Sequence, residues 1–288
     1  MSLPLQLAEV ARRIASEAGA LLLERSTSER TLVETKSTRT DMVTEVDRAS
    51  EALVAALLAE LRPGDGLIAE EGTRRDSTTG VCWLVDPLDG TTNYLYGFPS
   101  FGVSLAAEID GEVVGAAVCD PLRGETFSAA RGSGAWCGST RLRVEGPPTL
   151  ATALVGTGFG YDAARRESQA ALLPYVLPRV RDIRRAGAAA LDLCWVGAGR
   201  LDCFYELGLG PWDWAGGSLV AREAGAVTDE LDDGTRVVAP PQLFDELVAL
   251  LLEASAVAGS VRPRIGEPGA SLATPQEDAY VLPIRYDE

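Results

Sequence analysis

The strongest constraint in this sequence is an apolar run that leads directly into two carboxylates. Residues 83–85 are Trp-Leu-Val, and 86–89 continue as Asp-Pro-Leu-Asp. A short apolar run of this kind indicates a buried strand, and carboxylates at its end are unfavourable unless a cation or hydrogen-bond donors satisfy them. Oxygen ligands suit a hard divalent cation, and the Gly-Thr backbone at 90–91 suits a phosphate. The segment therefore predicts a metal-dependent phosphate site.

Composition narrows the chemistry and the partners of this chain. Its 288 residues carry a formal net charge of −16, which disfavours nucleic acid and anionic membranes as partners. There is no histidine, so acid–base chemistry has to use carboxylates, hydroxyls or water held by a metal ion. A bound phosphate would also need cations to reverse the local field.

The cellular setting is predicted from what the sequence lacks. Its five cysteines form no Cys-x-x-Cys pair, which is typical of unpaired thiols in a reducing compartment. No apolar stretch reaches the roughly 20 residues of a membrane span, and no signal peptide is apparent at the N-terminus. We therefore expect a cytoplasmic protein without a membrane partner.

Hydrophobic periodicity divides the first part of the chain into helices and an antiparallel sheet. Apolar stripes predict helices over 5–25 and 46–61. Strands are predicted over 67–69, 81–85, 104–109, 112–119, 126–130 and 135–136. The third and fourth of these strands should form a hairpin around Asp110-Gly111.

The pattern changes after residue 146. Strands are then predicted over 153–155, 201–206 and 235–239, and helices over 163–176, 188–199, 213–225 and 241–252. This alternation is typical of an α/β unit, whereas residues 259–288 are rich in Pro, Gly and Ser and predict a flexible tail. We expect an α+β half over 1–146 with the acidic motifs, an α/β half over 147–258 with the substrate contacts, and the tail over 259–288.

Acidic segments recur at the predicted ends of four elements. They are Asp41 to Asp47, Glu70-Glu71, Asp86 to Asp89, and Asp213. Taken singly, the first and the last suit helix caps, and the second suits a solvated turn. A turn does not explain why a buried strand leads into the third.

Together these segments resemble those of the inositol monophosphatase family. Its members are Mg²⁺-dependent, lithium-sensitive phosphatases of the fructose-bisphosphatase-like superfamily. The resemblance rests on Glu-Glu-Gly at 70–72, Asp-Pro-Leu-Asp-Gly-Thr-Thr-Asn at 86–93, Trp-Asp-Trp-Ala-Gly-Gly at 212–217, and the segment at 41–47. It is strongest to bacterial inositol-1-monophosphatases. It implies the family's α/β (α+β) fold, a layered α/β/α/β/α sandwich, and a homodimer.

The resemblance also implies a ligand set for two to three Mg²⁺ ions. Glu70, Asp86 and the Leu88 carbonyl would hold one ion, and Asp86, Asp89 and Asp213 would hold a second. A third, weaker ion would lie near Glu70. All of these ligands supply oxygen, which is what Mg²⁺ prefers.

The reaction that the resemblance implies is attack on phosphorus by a water molecule that the metal activates. Glu70 and Thr91 would take the proton of this water, and Asp47 would accept a hydrogen bond from Thr91. Lys36 corresponds to a family lysine near the phosphate. The residues implied in substrate binding are Leu88, Asp89, Gly90, Thr91, Gly187, Ala188, Ala189, Glu206 and Asp213.

The expected function is hydrolysis of a small phosphate monoester, with myo-inositol monophosphate as the first candidate. Many relatives carry Ser or Thr where this chain has Ala188, so the identity of the alcohol stays open. Histidinol phosphate is the alternative substrate. A regulator that binds transcription machinery is the alternative from another class. A substrate with a second phosphate is disfavoured, because no basic residues that would hold it are visible in the sequence.

Overall fold

The computed structural model, which describes residues 1–26, 33–35, 42–147 and 149–260, alternates layers of helices with two β-sheets. The helices are α1 (Leu3–Ser26), α2 (Glu45–Leu61), α3 (Thr91–Tyr96), α4 (Ala163–Val176), α5 (Ala189–Gly197), α6 (Pro211–Glu223) and α7 (Pro241–Ser260). Short 3₁₀ turns occur at Leu150–Thr152 and Leu177–Arg179.

Fifteen strands lie within these ranges. They are β1 (Val33–Thr35), β2 (Met42–Thr44), β3 (Gly66–Ala69), β4 (Arg74–Arg75), β5 (Val81–Asp89), β6 (Gly102–Ile109), β7 (Glu112–Asp120), β8 (Glu125–Ala130), β9 (Gly134–Cys137), β10 (Thr140–Arg141), β11 (Leu154–Thr157), β12 (Asp182–Arg184), β13 (Cys203–Leu207), β14 (Val227–Glu230) and β15 (Thr235–Ala239).

Both large sheets mix parallel and antiparallel pairs. The eight-stranded sheet has the order β10-β9-β8-β7-β6-β5-β3-β4, and only β3 and β5 pair in parallel. The five-stranded sheet has the order β12-β11-β13-β15-β14, with parallel pairs on both sides of β11. Strands β1 and β2 form a separate antiparallel pair. The parallel pair of β3 and β5 matters most for function, because both strands end at the same edge of the sheet.

Three apolar cores hold the five layers together. One lies between the first two helices and the eight-stranded sheet, and includes Leu7, Leu58 and Trp83. A second fills the space between the two sheets, where α5 and α6 pack. The third joins the five-stranded sheet to α4 and α7. The order helix, sheet, helix, sheet, helix confirms the predicted layered α/β/α/β/α sandwich.

Helix α1 shows how closely the first two layers approach. Its apolar stripe is buried along one face, as the periodicity predicts. On the facing strand β7, a Cβ added to Gly115 would lie 2.8 Å from the backbone nitrogen of Ala8 and 2.9 Å from the carbonyl oxygen of Pro4. Such distances leave no room for a side chain, so this glycine permits the helix backbone to rest directly on the sheet.

Most predicted elements are present, and the differences have local causes. The hairpin turn is confirmed, because Asp110 and Gly111 both have positive φ, at 51° and 79°. The six-residue helix α3 was not predicted, since it is too short to show a helical period. The edge strands β4, β10, β12 and β14 were also missed, because they are short and mostly polar or exposed.

The end of the chain differs from its prediction. Helix α7 continues to Ser260, eight residues beyond the predicted end at 252, and Ala254 is buried against the third core. Residues 261–288 of the predicted tail lie outside the described residues. The division at residue 146 stays a prediction. Helices α5 and α6, which follow it in the chain, contact strands of both sheets. No helix in the described ranges has the length and apolar character of a membrane span.

Candidate metal centre

The end of strand β5 is irregular at the two predicted aspartates. Asp86 pairs with Ser104 of β6 and Asp89 pairs with Gly102, so three steps along β5 match two steps along β6. The extra residue makes a β-bulge. Residues three apart on a regular strand point to opposite faces, and the bulge shifts this alternation. Both aspartates can therefore line one cavity of about 390 Å³.

The turn after the bulge requires glycine. Gly90 has φ of 88°, in the left-handed region that favours glycine. A Cβ added there would lie 3.0 Å from the carbonyl oxygen of Ser100 and 3.1 Å from that of Gly187. The backbone at Gly90 is thus enclosed by two segments that are distant in sequence, and it brings Thr91 into the cavity at the start of α3.

Thr91 is fixed by the carboxylate that the sequence analysis assigned to it. Its Oγ1 lies 2.9 Å from Asp47 Oδ1 and 3.1 Å from the carbonyl oxygen of Leu88, and its single proton can serve either acceptor. The other oxygen of Asp47 accepts from the backbone N–H of Thr44 at 2.9 Å. Thr44 and Asp47 form a capping box at the start of α2, so the cap and the contact with Thr91 coexist.

Glu70 follows β3, at the same edge of the sheet as Asp86. The loop that carries it is held by a residue that the sequence analysis missed. Glu51 of α2 is buried, and its two carboxylate oxygens accept from the backbone N–H groups of Glu71 at 2.8 Å and Thr73 at 2.9 Å. Because both oxygens are engaged, Glu51 fixes the course of the loop on the far side of Glu70.

Three carboxylates converge at this edge. One carboxylate oxygen from each of Glu70, Asp86 and Asp213 lies within 4.8 Å of the other two. Asp213 comes from the first turn of α6, where its Oδ2 accepts from the backbone N–H of Gly210 at 2.7 Å. The helix begins at Pro211, two residues before the predicted start. Asp213 therefore caps the start of α6 and also belongs to the carboxylate cluster.

Asp89 faces the same cavity but is held by another helix. Its carboxylate accepts from the backbone N–H groups of Ala189 at 3.1 Å and Ala190 at 2.8 Å, at the first residues of α5. These donors are unpaired ends of the helix, and the helix dipole favours a negative charge there. Its ligand role and that of the Leu88 carbonyl, which also lines the cavity, stay predictions.

Burial and mutual repulsion dominate the electrostatics of the cluster. Burial, together with the charge of Glu70, raises the pKa of Asp86 and of Asp213 well above the usual range. Burial raises the pKa of Asp89 to about 7 despite the opposing amides of α5. These acids resist ionisation when no cation is bound. A divalent cation would stabilise their ionised form, because it attracts every carboxylate charge at once.

The other predicted substrate residues surround the same cavity. Those that line it are Leu88, Asp89, Gly90, Thr91, Gly187, Ala189, Glu206 and Asp213. Ala188 is fully buried beside Gly90. Lys36 and Asp41 lie outside the described residues. The structure thus gathers segments from both sheets around one site.

Four further cavity residues with polar side chains were not predicted from the sequence. They are Tyr161, Arg165, Arg185 and Asp192. The two arginines correct the expectation that no basic residue would be available to a second phosphate, because both line the cavity. None of the four belongs to a recognised motif, and Asp192 lies within an apolar helix, α5, whose pattern indicates only burial. Their common position follows from the packing of three separate segments, which the sequence does not reveal.

The fold and this site define a layered α/β protein with a buried cluster of carboxylate oxygens of the kind that suits a divalent cation. A model of the inositol monophosphatase family matches residues 4–260. Inositol-1-monophosphatase SuhB of Mycobacterium tuberculosis is 43% identical over 272 residues, which cover 86% of this chain and 94% of that protein. A solved structure, titled Mycobacterium tuberculosis SuhB, has a TM-score of 0.77 and covers 87% of this chain and 97% of the solved chain. The chain belongs to the inositol monophosphatase family.

A second relative carries a different name. The Nus factor SuhB of Vibrio cholerae is 39% identical over 228 residues, covering 78% of this chain and 85% of that protein. Family membership is therefore compatible with more than one named role.

The electrostatics predict how stability depends on pH and Mg²⁺. The folded state binds protons at Asp89 and Glu206 with a pKa of about 7, above the ordinary 3.8 and 4.5. The free energy of unfolding of the metal-free protein should therefore fall as pH rises from about 4 to about 7. Urea unfolding in chelator at roughly pH 5 and pH 8 measures this. Stability that rises over the same interval contradicts the prediction.

Millimolar Mg²⁺ should restore the stability at the higher pH, by about 2.7 kcal/mol when its concentration is 100 times the dissociation constant. Asp213→Asn should abolish most of this gain, because it removes one of the three converging charges. An unchanged melting temperature of the natural protein with and without Mg²⁺ would count against the metal site.

The contacts of Glu51 predict that this residue affects both the stability of the protein and the concentration of Mg²⁺ that it needs. Glu51→Gln replaces one acceptor oxygen by a donor that faces a backbone N–H, so the variant should lose about 1–3 kcal/mol of stability. It should also need more Mg²⁺ for half-maximal thermal stabilisation, because Glu70 is held less firmly. The matched control is Asp65→Asn, a buried carboxylate at the other end of β3 that accepts from Trp83 and Thr79. Equal Mg²⁺ requirements in the two variants would show that Glu51 is merely structural.

Proposed function

We propose that this protein hydrolyses a small phosphate monoester in a Mg²⁺-dependent reaction, with myo-inositol monophosphate as the first candidate substrate. The convergence of Glu70, Asp86 and Asp213 within 4.8 Å carries the proposal. It is supported by membership of the inositol monophosphatase family and by relatives named inositol-1-monophosphatase at 43% identity. Phosphomonoester hydrolysis is therefore the reaction class.

The donor set fits Mg²⁺. All of its atoms are oxygens, and carboxylates buried together need a cation. Glu70, Asp86, Asp89, Asp213 and the Leu88 carbonyl would hold the ions, two to three in number. Magnesium bound there would polarise water and offset the negative charge of the phosphate.

The residues around the cluster would position the attacking water and accept its proton. Thr91 donates its proton to Asp47 or to the Leu88 carbonyl, which leaves lone pairs on Oγ1 to accept a hydrogen bond from the water. Glu70 would take the proton as the general base. Gly90 lacks a Cβ, so the backbone at 90–91 can approach a phosphate closely. These roles require no histidine, in agreement with the composition.

Two alternatives remain as proposals of lower rank. Histidinol phosphate would use the same metal and phosphate positions, with a different alcohol in the rest of the cavity. A role with transcription machinery is suggested by the relative named Nus factor SuhB, and it does not exclude catalysis. Homodimer formation, lithium sensitivity and a cytoplasmic location stay predictions from the family resemblance.

Phosphate release in the presence of Mg²⁺ tests the proposal. Inositol monophosphate should be hydrolysed faster than histidinol phosphate, and Asp89→Asn should reduce the rate by on the order of 100-fold or more, since it removes one of the carboxylates proposed to hold Mg²⁺. Thr91→Ser keeps the hydroxyl and should retain most activity, whereas Thr91→Val should lose it. Hydrolysis that proceeds equally in chelator would refute the metal-dependent mechanism, and preference for histidinol phosphate would move the assignment to the alternative substrate.

A further inference from the structure

Asp192 is a buried carboxylate with an unused oxygen. The residue is 1% exposed and lines the cavity, and its Oδ1 has no hydrogen-bond partner among the described residues. Leaving a buried carboxyl oxygen without a hydrogen-bond partner is unfavourable. Asp192 is the fourth residue of α5, where an apolar side chain would pack without that loss. The free oxygen therefore indicates a donor that is supplied by a ligand.

Two other polar side chains in the cavity have unused hydrogen-bonding capacity. Glu206 at the end of β13 packs over Gly158, which leaves no space there for a Cβ. In the part of the chain that the structure describes, no group donates a hydrogen bond to its carboxylate, and the guanidinium of Arg185 donates none. Burial raises the pKa of both Glu206 and Asp192, and the charge of Arg185 opposes that rise in each, which places the guanidinium near both carboxyls.

These three residues differ in kind from the metal cluster. The carboxylates of Glu70, Asp86 and Asp213 converge on one point. Asp192 and Glu206 instead have a positively charged side chain, that of Arg185, beside them. A metal ion placed between Asp192 and Glu206, away from that cluster, would be repelled by the guanidinium of Arg185. The three residues therefore present two acceptors and one donor to the cavity that the carboxylate cluster also lines.

We propose that Asp192 and Arg185 act with Glu206 as the subsite for the alcohol part of the substrate, and that they select a polyhydroxyl alcohol. This inference rests on the proposed function, and Asp192 and Arg185 are its new assignments. A hydroxyl both donates and accepts, so adjacent hydroxyls satisfy the two carboxylates and the guanidinium together. An ammonium group only donates, so it cannot accept a hydrogen bond from the guanidinium of Arg185. The subsite thus favours a polyol phosphate over an amino-alcohol phosphate such as histidinol phosphate.

The test compares two substrates that differ only in hydroxyl groups. Inositol 1-phosphate and cyclohexyl phosphate share a six-membered ring, and the second lacks the ring hydroxyls. The natural protein should prefer the first, and Asp192→Asn should reduce the ratio of the two kcat/KM values by about 10- to 100-fold. Most of the change should lie in KM, while the Mg²⁺ requirement stays the same. The matched control is Asp202→Asn, whose carboxylate accepts from the Leu154 backbone at 2.7 Å and which should leave the ratio unchanged.

Each other outcome has a definite meaning. A parallel loss on both substrates would show that Asp192 is structural, and an unchanged ratio would overturn the subsite, as would a preference for histidinol phosphate. If Asp192→Asn does not fold, Arg185→Gln at an exposed position decides by the same ratio.

If the natural protein hydrolyses neither substrate, the proposed function fails. Calorimetric titration with myo-inositol then tests the subsite alone: binding that Arg185→Gln abolishes supports it, and absence of binding overturns it.

Discussion

The repulsion among buried carboxylates at the end of β5 is the constraint on which the rest of this structure depends. Asp86 is 2% exposed and Asp89 is 7% exposed, and both share a cavity with Glu70 and Asp213. Such a group is unstable by itself. The surrounding chain reduces the repulsion only in part, by directing backbone N–H groups at individual carboxylates, and the remainder is left for a cation.

The elements around the site can be understood as supports for those carboxylates. The start of α5 donates to Asp89, and Gly210 before α6 donates to Asp213. The backbone of Leu88 donates to Asp86 at 2.9 Å. Helices α5 and α6 lie between the two sheets, so the central layer of the sandwich places both helix starts at the end of β5. The layered fold and the candidate metal centre are therefore one arrangement.

The sequence predicts the parts of the site that have local signals. A buried strand that leads into Asp86 identifies the centre, and Asp213 follows from its family segment. Glu51 was not predictable, because on α2 it occupies an ordinary position of an amphipathic helix and its partners lie 20 and 22 residues away. Asp192 was missed for a similar reason: its meaning depends on an unpaired oxygen, which only packing reveals. The bulge at Pro87 was likewise visible only through the register with β6.

The most direct test of this account is the position of a bound cation. A crystal grown with Mn²⁺, which takes the same oxygen ligands as Mg²⁺, should show an anomalous peak between Glu70, Asp86 and Asp213, at about 2.0–2.3 Å from a carboxylate oxygen of each. This result would establish that the converging carboxylates form a metal centre. A map without a peak there, with the three side chains joined by direct hydrogen bonds between protonated carboxyls, would contradict it.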